Sequence, residues 1–129
     1  MTVTGMNHFT VLAADLEQTR RFYVDLLGLR EGPRPPLGFP GAWLYAGDAP
    51  VLHVIAGRSL PAERRGVLDH MAFSARDLRG VQRRLEQAGV QHTLQQQPES
   101  GIWQLFCFDP NGARVELDFD PAEPAPDAR

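Results

Sequence analysis

The pattern of apolar and polar positions in this chain occurs twice. Each copy predicts a short apolar strand, a helix with apolar residues at helical spacing, and three further strands separated by turns. An aspartate begins each helix and a glycine ends it. In the first copy the strands are predicted at 6–13, 29–37, 41–46 and 51–56. In the second copy they are predicted at 67–74, 90–94, 102–108 and 113–119.

These elements favour an α+β fold built from two tandem βαβββ modules. The modules span about residues 5–57 and 67–119 and lie within one domain of residues 1–119, which suits a chain of 129 residues. We expect a curved mixed sheet around a central cavity, with the helices on its outer face. Residues 120–129, which are rich in proline, are predicted to form a mobile C-terminal tail.

Strand alternation assigns the first histidine of each copy to the face away from the helix. Successive side chains of a strand point to opposite faces. Phe9 and Val11 are the apolar residues expected beneath the first helix, which turns His8 toward the concave side of the sheet. His70 takes the same place in the second copy. Glu116 lies on the polar front of the last strand, whose alternate residues are apolar.

Four side chains that can bind a metal fall at equivalent places in the two copies. His8 and His53 are 45 positions apart, and His70 and Glu116 are 46 positions apart. Facing strands of a repeated module would bring such residues to one centre. Two imidazoles and a carboxylate leave coordination positions open for substrate and water, and they suit Fe(II), Mn(II), Ni(II), Co(II) or Zn(II).

Composition and charge exclude several classes of partner. The net charge is −3 and no basic stripe is present, which argues against nucleic-acid binding. The pair Arg64-Arg65 is expected to be solvated. No run of about 18 apolar residues is present, so no membrane span is predicted. The single cysteine, Cys107, excludes an internal disulfide and suits a reducing cytoplasm.

The chain resembles the vicinal oxygen chelate superfamily over about residues 5–119. That superfamily includes glyoxalase I, fosfomycin resistance enzymes, methylmalonyl-CoA epimerase, bleomycin resistance proteins and extradiol dioxygenases. The resemblance is most specific in three motifs, Asn7-His8-Phe9-Thr10-Val11, Asp69-His70-Met71-Ala72-Phe73 and Asp109-Pro110-Asn111-Gly112-Ala113-Arg114-Val115-Glu116-Leu117.

The resemblance implies a site with one divalent metal ion. In such families the ligands lie on the first strand of each module and on the last strand, which implies His8, His70 and Glu116 here. His53 stands where glyoxalase I carries a carboxylate ligand, and it is a fourth ligand, an acid/base group or a buried spectator. Glu116 and His53 are the candidate catalytic residues. The implied partners are a small-molecule substrate and a second copy of the chain, and each site is built from one chain or from two.

Three functions stay open at this point. The first is a metal-dependent lyase or isomerase of glyoxalase type, acting on a small oxygenated substrate chelated to the metal. The second is a one-domain extradiol-type Fe(II) dioxygenase, which the histidine at position 53 favours. Such enzymes usually carry a tyrosine on the strand where this chain has Phe106 and Phe108. The third is a metal-free binding protein like the bleomycin resistance proteins. The glyoxalase-type reading is preferred. A fosfomycin-type reaction is set aside because Arg114 alone does not make a phosphonate site.

Overall fold

Two compact units make up the chain in the computed structural model, which describes residues 2–124 and 126. The units are Met1–Ala62 and Glu63–Arg129. Each contains a four-stranded mixed sheet and one α-helix, so the α+β class and the tandem βαβββ order are confirmed. Each module forms its own four-stranded sheet. Within the described part of the chain, every helix is too short or too polar to cross a membrane.

The first unit orders its strands β1-β4-β3-β2. Strands β1 and β4 are parallel, and the other neighbours are antiparallel. Strand β2 lies at the edge of the sheet as predicted, but it ends at Gly32 and does not reach residue 37, because Pro33 cannot donate to a ladder. The strands are β1 (Phe9–Ala13), β2 (Arg30–Gly32), β3 (Gly41–Ala46) and β4 (Ala49–Ala56).

The helix of the first unit changes its winding half-way. Asp15 caps helix α1 (Leu16–Arg20) by accepting a hydrogen bond from the Gln18 backbone N–H at 3.0 Å. The chain then continues as a π-helical segment, Arg21–Leu26. The prediction of one regular helical period was wrong here. The wider turn lets two successive residues, Phe22 and Tyr23, face inward, and both are buried.

The second unit repeats the order, with its strands arranged β5-β8-β7-β6. Strands β5 and β8 are parallel. Helix α2 (Leu78–Gln87) buries Leu78, Val81 and Leu85 on one face, the stripe that the sequence predicted. The strands are β5 (Met71–Ala75), β6 (His92–Gln96), β7 (Trp103–Phe108) and β8 (Arg114–Phe119).

The last hairpin is fixed by an aspartate turn. Asp109 Oδ1 accepts hydrogen bonds from the backbone N–H groups of Asn111 at 2.8 Å and Ala113 at 2.9 Å. Gly112 takes φ 97°, a left-handed conformation that favours glycine. The turn starts β8 so that Val115 and Leu117 point into the core while Glu116 points to the opposite face, as predicted.

The residues after β8 contact the start of helix α2. The Glu123 carboxylate accepts hydrogen bonds from the backbone N–H groups of Asp77 at 3.1 Å and Leu78 at 3.0 Å. This carboxylate complements the positive end of the helix dipole. The mobility expected for residues 120–129 stays a prediction, and residues 125 and 127–129 lie outside the described residues.

Candidate metal centre

In the first unit, three flat side chains stack around His53. The rings of His8 and His53 are 3.7 Å apart between centroids and inclined by 13°. On the other side, the Trp43 ring lies 4.1 Å from His53 at 10°. His53 stands on strand β4 directly opposite Trp43 of β3, and His8 is the residue before β1. The stack therefore holds the His53 imidazole in one plane.

Both histidines of the first unit direct Nδ1 to an oxygen. His8 Nδ1 donates to Asn7 Oδ1 at 2.6 Å, since an amide oxygen can only accept. His53 bonds to the backbone of Pro50, whose only backbone hydrogen-bonding group is a carbonyl. His53 Nε2 is buried and has no hydrogen-bond partner among the described residues. In both neutral rings the proton is therefore on Nδ1, and the lone pair of Nε2 is available.

Partial burial favours the neutral form of His53. Loss of hydration lowers the pKa of His53 below its ordinary value, and the neighbouring His8 lowers it further. A neutral imidazole can bind a metal or accept a proton without first losing one of its own.

In the second unit, His70 lies between two carboxylates. Its Nδ1 is 2.8 Å from Asp69 Oδ2, and its Nε2 is 2.9 Å from Glu116 Oε1. If Nδ1 carries the single ring proton, Nε2 and Glu116 Oε1 oppose each other with lone pairs. A cation or a second proton must then lie between them. Glu116 is 6 % exposed, and Gln104 Nε2 donates to its other oxygen at 3.2 Å.

Two further charged groups surround this pair. Arg114 Nη1 lies 2.9 Å from Asp69 Oδ2. Hydrogen bonds from His70 and then from Arg114 lower the pKa of Asp69 below its ordinary value. On the same face of β8, burial and the neighbouring Glu116 raise the pKa of Asp118 to about 6. Asp118 Oδ1 is buried without a hydrogen-bond partner in the described part of the chain.

Strand register makes His53 and Glu116 equivalent. His53 pairs with Thr10, two residues after His8. Glu116 pairs with Ala72, two residues after His70. The antiparallel neighbours also match, because Trp43 pairs with His53 and Phe106 pairs with Glu116.

The structure thus joins the candidate residues in pairs, His8 with His53 and His70 with Glu116. In neither unit do the described residues gather three or more His, Cys, Asp or Glu side chains into one metal-binding group. Sequence reasoning missed Asn7 and Asp69 as the acceptors that orient the imidazoles. Their signal was in the sequence, since an oxygen-bearing side chain directly precedes both His8 and His70.

The donor atoms fit a divalent cation. An imidazole nitrogen and a carboxylate oxygen bound side by side at about 2.1 Å lie about 3 Å apart. His70 Nε2 and Glu116 Oε1 are 2.9 Å apart. A carboxylate or carbonyl on the far ring nitrogen is also the usual support of a metal-binding histidine.

A profile of the Glyoxalase/Bleomycin resistance protein/Dioxygenase superfamily matches residues 5–117. The chain belongs to this superfamily. It is 28% identical over 122 residues to "Glyoxylase I 4" of Arabidopsis thaliana, covering 89% of this chain and 70% of that protein. It is 33% identical over 116 residues to "Glutathione transferase FosA" of Serratia marcescens, covering 88% of this chain and 79% of that protein.

A solved structure shares the superfamily fold. It is a mutant of the fosfomycin resistance protein FosX of Listeria monocytogenes, complexed with Mn(II) and 1S,2S-dihydroxypropylphosphonic acid. The TM-score is 0.73 at 16% identity, covering 92% of this chain and 94% of that one. At this identity the likeness establishes the fold.

Proposed function

We propose that this superfamily member is a divalent-metal-dependent enzyme of glyoxalase type. It would act as a lyase or isomerase on a small oxygenated substrate that chelates the ion. The proposed ligands are His8, His70 and Glu116, with His53 as the fourth. The observation that carries the proposal is the His70–Glu116 pair, in which Nε2 and a buried carboxylate oxygen lie 2.9 Å apart while Asp69 holds Nδ1 on the far side of the ring at 2.8 Å.

The side chains have separate roles in this proposal. The bound ion would stabilise negative charge that develops on a substrate oxygen. Gln104 holds the second oxygen of Glu116, which leaves the first for the ion. Asn7 and Asp69 hold the tautomers in which Nε2 of His8 and His70 is the ligand atom. His53 is half-buried with its pKa lowered, so its neutral ring can bind the ion or accept a substrate proton.

A second candidate is transfer of a thiol nucleophile to the substrate. The relative named glutathione transferase FosA favours it, being 33% identical over most of both chains. Arg114 is the one basic group that the last strand itself supplies for an anionic substrate. Arg65, which precedes β5, lies on the same cleft as Arg114, so the basic groups are two. The compartment proposed for either reaction is the reducing cytoplasm.

Metal titration tests the proposed site. Purified protein is stripped of metal and titrated calorimetrically with Zn(II), Ni(II), Mn(II) and, without oxygen, Fe(II). Glu116→Gln should weaken binding strongly, because a neutral amide is a poorer ligand than a carboxylate. Glu99→Gln removes an exposed carboxylate outside the proposed ligand set and should leave the affinity unchanged.

Two results would contradict the proposal. One is the absence of metal binding in the titration, and the other is iron in the protein as purified. If none of the four metals binds tighter than millimolar, the metal site is absent and the metal-free binding protein is favoured. Elemental analysis of the protein as purified separates the reactions. Iron would favour the dioxygenase, whereas nickel, cobalt, zinc or manganese would favour the lyase or isomerase.

A further inference from the structure

A cleft of about 600 Å³ opens at one end of the second unit's sheet. Strand β6 begins there, β7 ends there and β8 begins there. The volume lies in the range of small-molecule sites, about 300–1,000 Å³. We call it the Arg–Phe cleft, and the lining residues that matter here are Arg65, Glu86, Phe106, Phe108 and Arg114.

Two arginines of the cleft lie on two phenylalanine rings. The Arg114 guanidinium is 4.4 Å from the centre of the Phe106 ring, and the Arg65 guanidinium is 5.2 Å from that of Phe108. Phe106 and Phe108 are alternate residues of β7 and so share a face. Stacking occupies the flat face of a guanidinium and leaves its edge donors available for a bidentate oxyanion.

The cleft is therefore basic at its rim and apolar along its wall. Arg65 and Arg114 supply two fixed positive charges, and Glu86 is the acidic residue of the lining. Arg114 already gives one hydrogen bond, to Asp69. Phe108 is 44% exposed, so a flat apolar group can reach it from solvent. Phe106 joins the cleft to the proposed metal ligands, because it pairs with Glu116 and its ring meets the His70 ring at 5.8 Å edge to face.

We infer that the Arg–Phe cleft binds a small organic anion, a carboxylate carried on a flat apolar body, and thereby selects the substrate class. The anion bridges the edges of Arg65 and Arg114, and its apolar body lies against Phe106 and Phe108. The role in substrate selection rests on the proposed function. Binding itself does not require the metal.

Binding is measured on the full-length protein stripped of metal, with benzoate as the probe. Benzoate should bind with saturation and shift the ring signals of Phe106 and Phe108 in NMR spectra. Benzamide has the same shape without the charge and should bind at least about tenfold more weakly, since hydrogen bonds to a charged group are the stronger ones. Inorganic phosphate has the charge without the apolar body and should also bind more weakly than benzoate.

Arg65→Ala should weaken benzoate binding about tenfold or more. Arg65 is exposed and outside the proposed ligand set, so the fold should be retained. Arg58→Ala is the matched control, because it removes the same charge from an exposed position of the other unit.

Three results would overturn the inference. They are no saturable benzoate binding, equal binding of benzamide, and an unchanged affinity in Arg65→Ala. Phosphate binding as tightly as benzoate would overturn the part assigned to the phenylalanine wall. Any of these together with Glu116-dependent metal binding would leave the proposed function standing. Benzoate binding without a metal site would instead remove the proposed function alone.

Discussion

The Nδ1 atom of His70 lies 2.8 Å from Oδ2 of Asp69, the residue before it in the sequence. A histidine can present Nε2 to a metal only when its proton is on Nδ1, and the Asp69 carboxylate stabilises that tautomer. In the first unit Asn7 does the same for His8 with a neutral amide oxygen. The two units thus orient equivalent histidines with acceptors of different charge.

Removing the Asp69 acceptor should weaken metal binding. Asp69→Ala is expected to lower the affinity for Zn(II) or Mn(II) by roughly 10–100-fold, the usual effect of losing such a support. Asp69→Asn should lose less, because Asn7 shows that an amide oxygen can accept this hydrogen bond. Nitrogen-15 NMR of His70 in the metal-free protein reads the tautomer directly.

Asp25→Asn, at an exposed position of the π-helical segment, is the control for loss of a carboxylate. An unchanged His70 tautomer and unchanged metal affinity in Asp69→Ala would contradict the role given to Asp69.

We predict that His53 is the fourth ligand. Its register equivalence to Glu116 favours this role, as does its buried Nε2, which has no hydrogen-bond partner in the part of the chain that the structure describes. His53→Ala should therefore reduce the metal affinity measured by calorimetry. If metal binding persists while turnover falls by about 10²–10⁴-fold, His53 is an acid/base group and not a ligand. If both persist on an identified substrate, His53 is a spectator.

Trp43→Leu tests how much ring stacking on His53 contributes to metal affinity. It removes the ring 4.1 Å from His53 while keeping an apolar residue on β3. A ligand held by stacking should lose part of its metal affinity, less than in His53→Ala. No change would mean that the Trp43 ring does not position the imidazole.

Cys107 should be inert toward thiol reagents in the folded protein. Burial raises the pKa of this thiol to about 12 from an ordinary 9.0. Three pKa units lower the thiolate fraction near pH 8 about a thousandfold, and the thiolate is the reactive form. The rate of reaction with a disulfide reagent at pH 8 should therefore be very low and should rise on unfolding in urea. A fast native reaction would contradict the burial of Cys107.

The raised pKa of Cys107 also makes the free energy of unfolding fall as the pH rises. Below pH 9 the thiol is protonated in both states, and its contribution to stability is fully present. As the pH rises through about 9 towards 12, the unfolded thiol ionises first, and the free energy of unfolding falls. The urea midpoint should decline more between pH 8 and 10 in the wild type than in Cys107→Ala. Parallel declines in the two proteins would contradict this assignment.

Parts of the fold followed from the sequence because local chemistry determines them. Strand β3 spans Gly41–Ala46 as predicted, with a turn after it. Strand β1 was predicted from Met6 but begins at Phe9, because its parallel ladder with β4 begins at Phe9. Apolar alternation shows which residues suit a strand, and it does not show where a distant partner stops.

The candidate site was also predictable only in part from the sequence. The repeat spacing predicted the equivalence of His53 and Glu116, which the strand register shows. The role of Arg65 could not be read from the sequence, because it lies in a polar connection without periodicity. Arg64 and Arg65 are exposed as expected, yet Arg64 donates to the Asn111 carbonyl at 3.1 Å and Arg65 stacks on Phe108. Such contacts depend on which turn lies nearby in space.

We predict that the protein is a homodimer. β1 and β5 are outer strands of their own sheets, so each presents unpaired backbone groups on one side within its sheet. A second copy is the simplest cover for both edges, because a two-fold interface uses the same surface twice. Light scattering at micromolar concentration should give about twice the 14.3 kDa of one chain. A single species at the monomer mass would contradict the prediction.

Mixing two defective chains tests whether the second copy also contributes ligands. His8 directly precedes outer strand β1, whereas Glu116 lies on inner strand β8, so a chain docking at the edge would lie beside His8. We expect His8→Ala and Glu116→Gln dimers to bind metal weakly when separate. After joint unfolding and refolding, half of the dimers are mixed and each holds one intact site, so about a quarter of the wild-type metal sites should return. If every site is built within one chain, every site in the mixture is still defective and no binding returns.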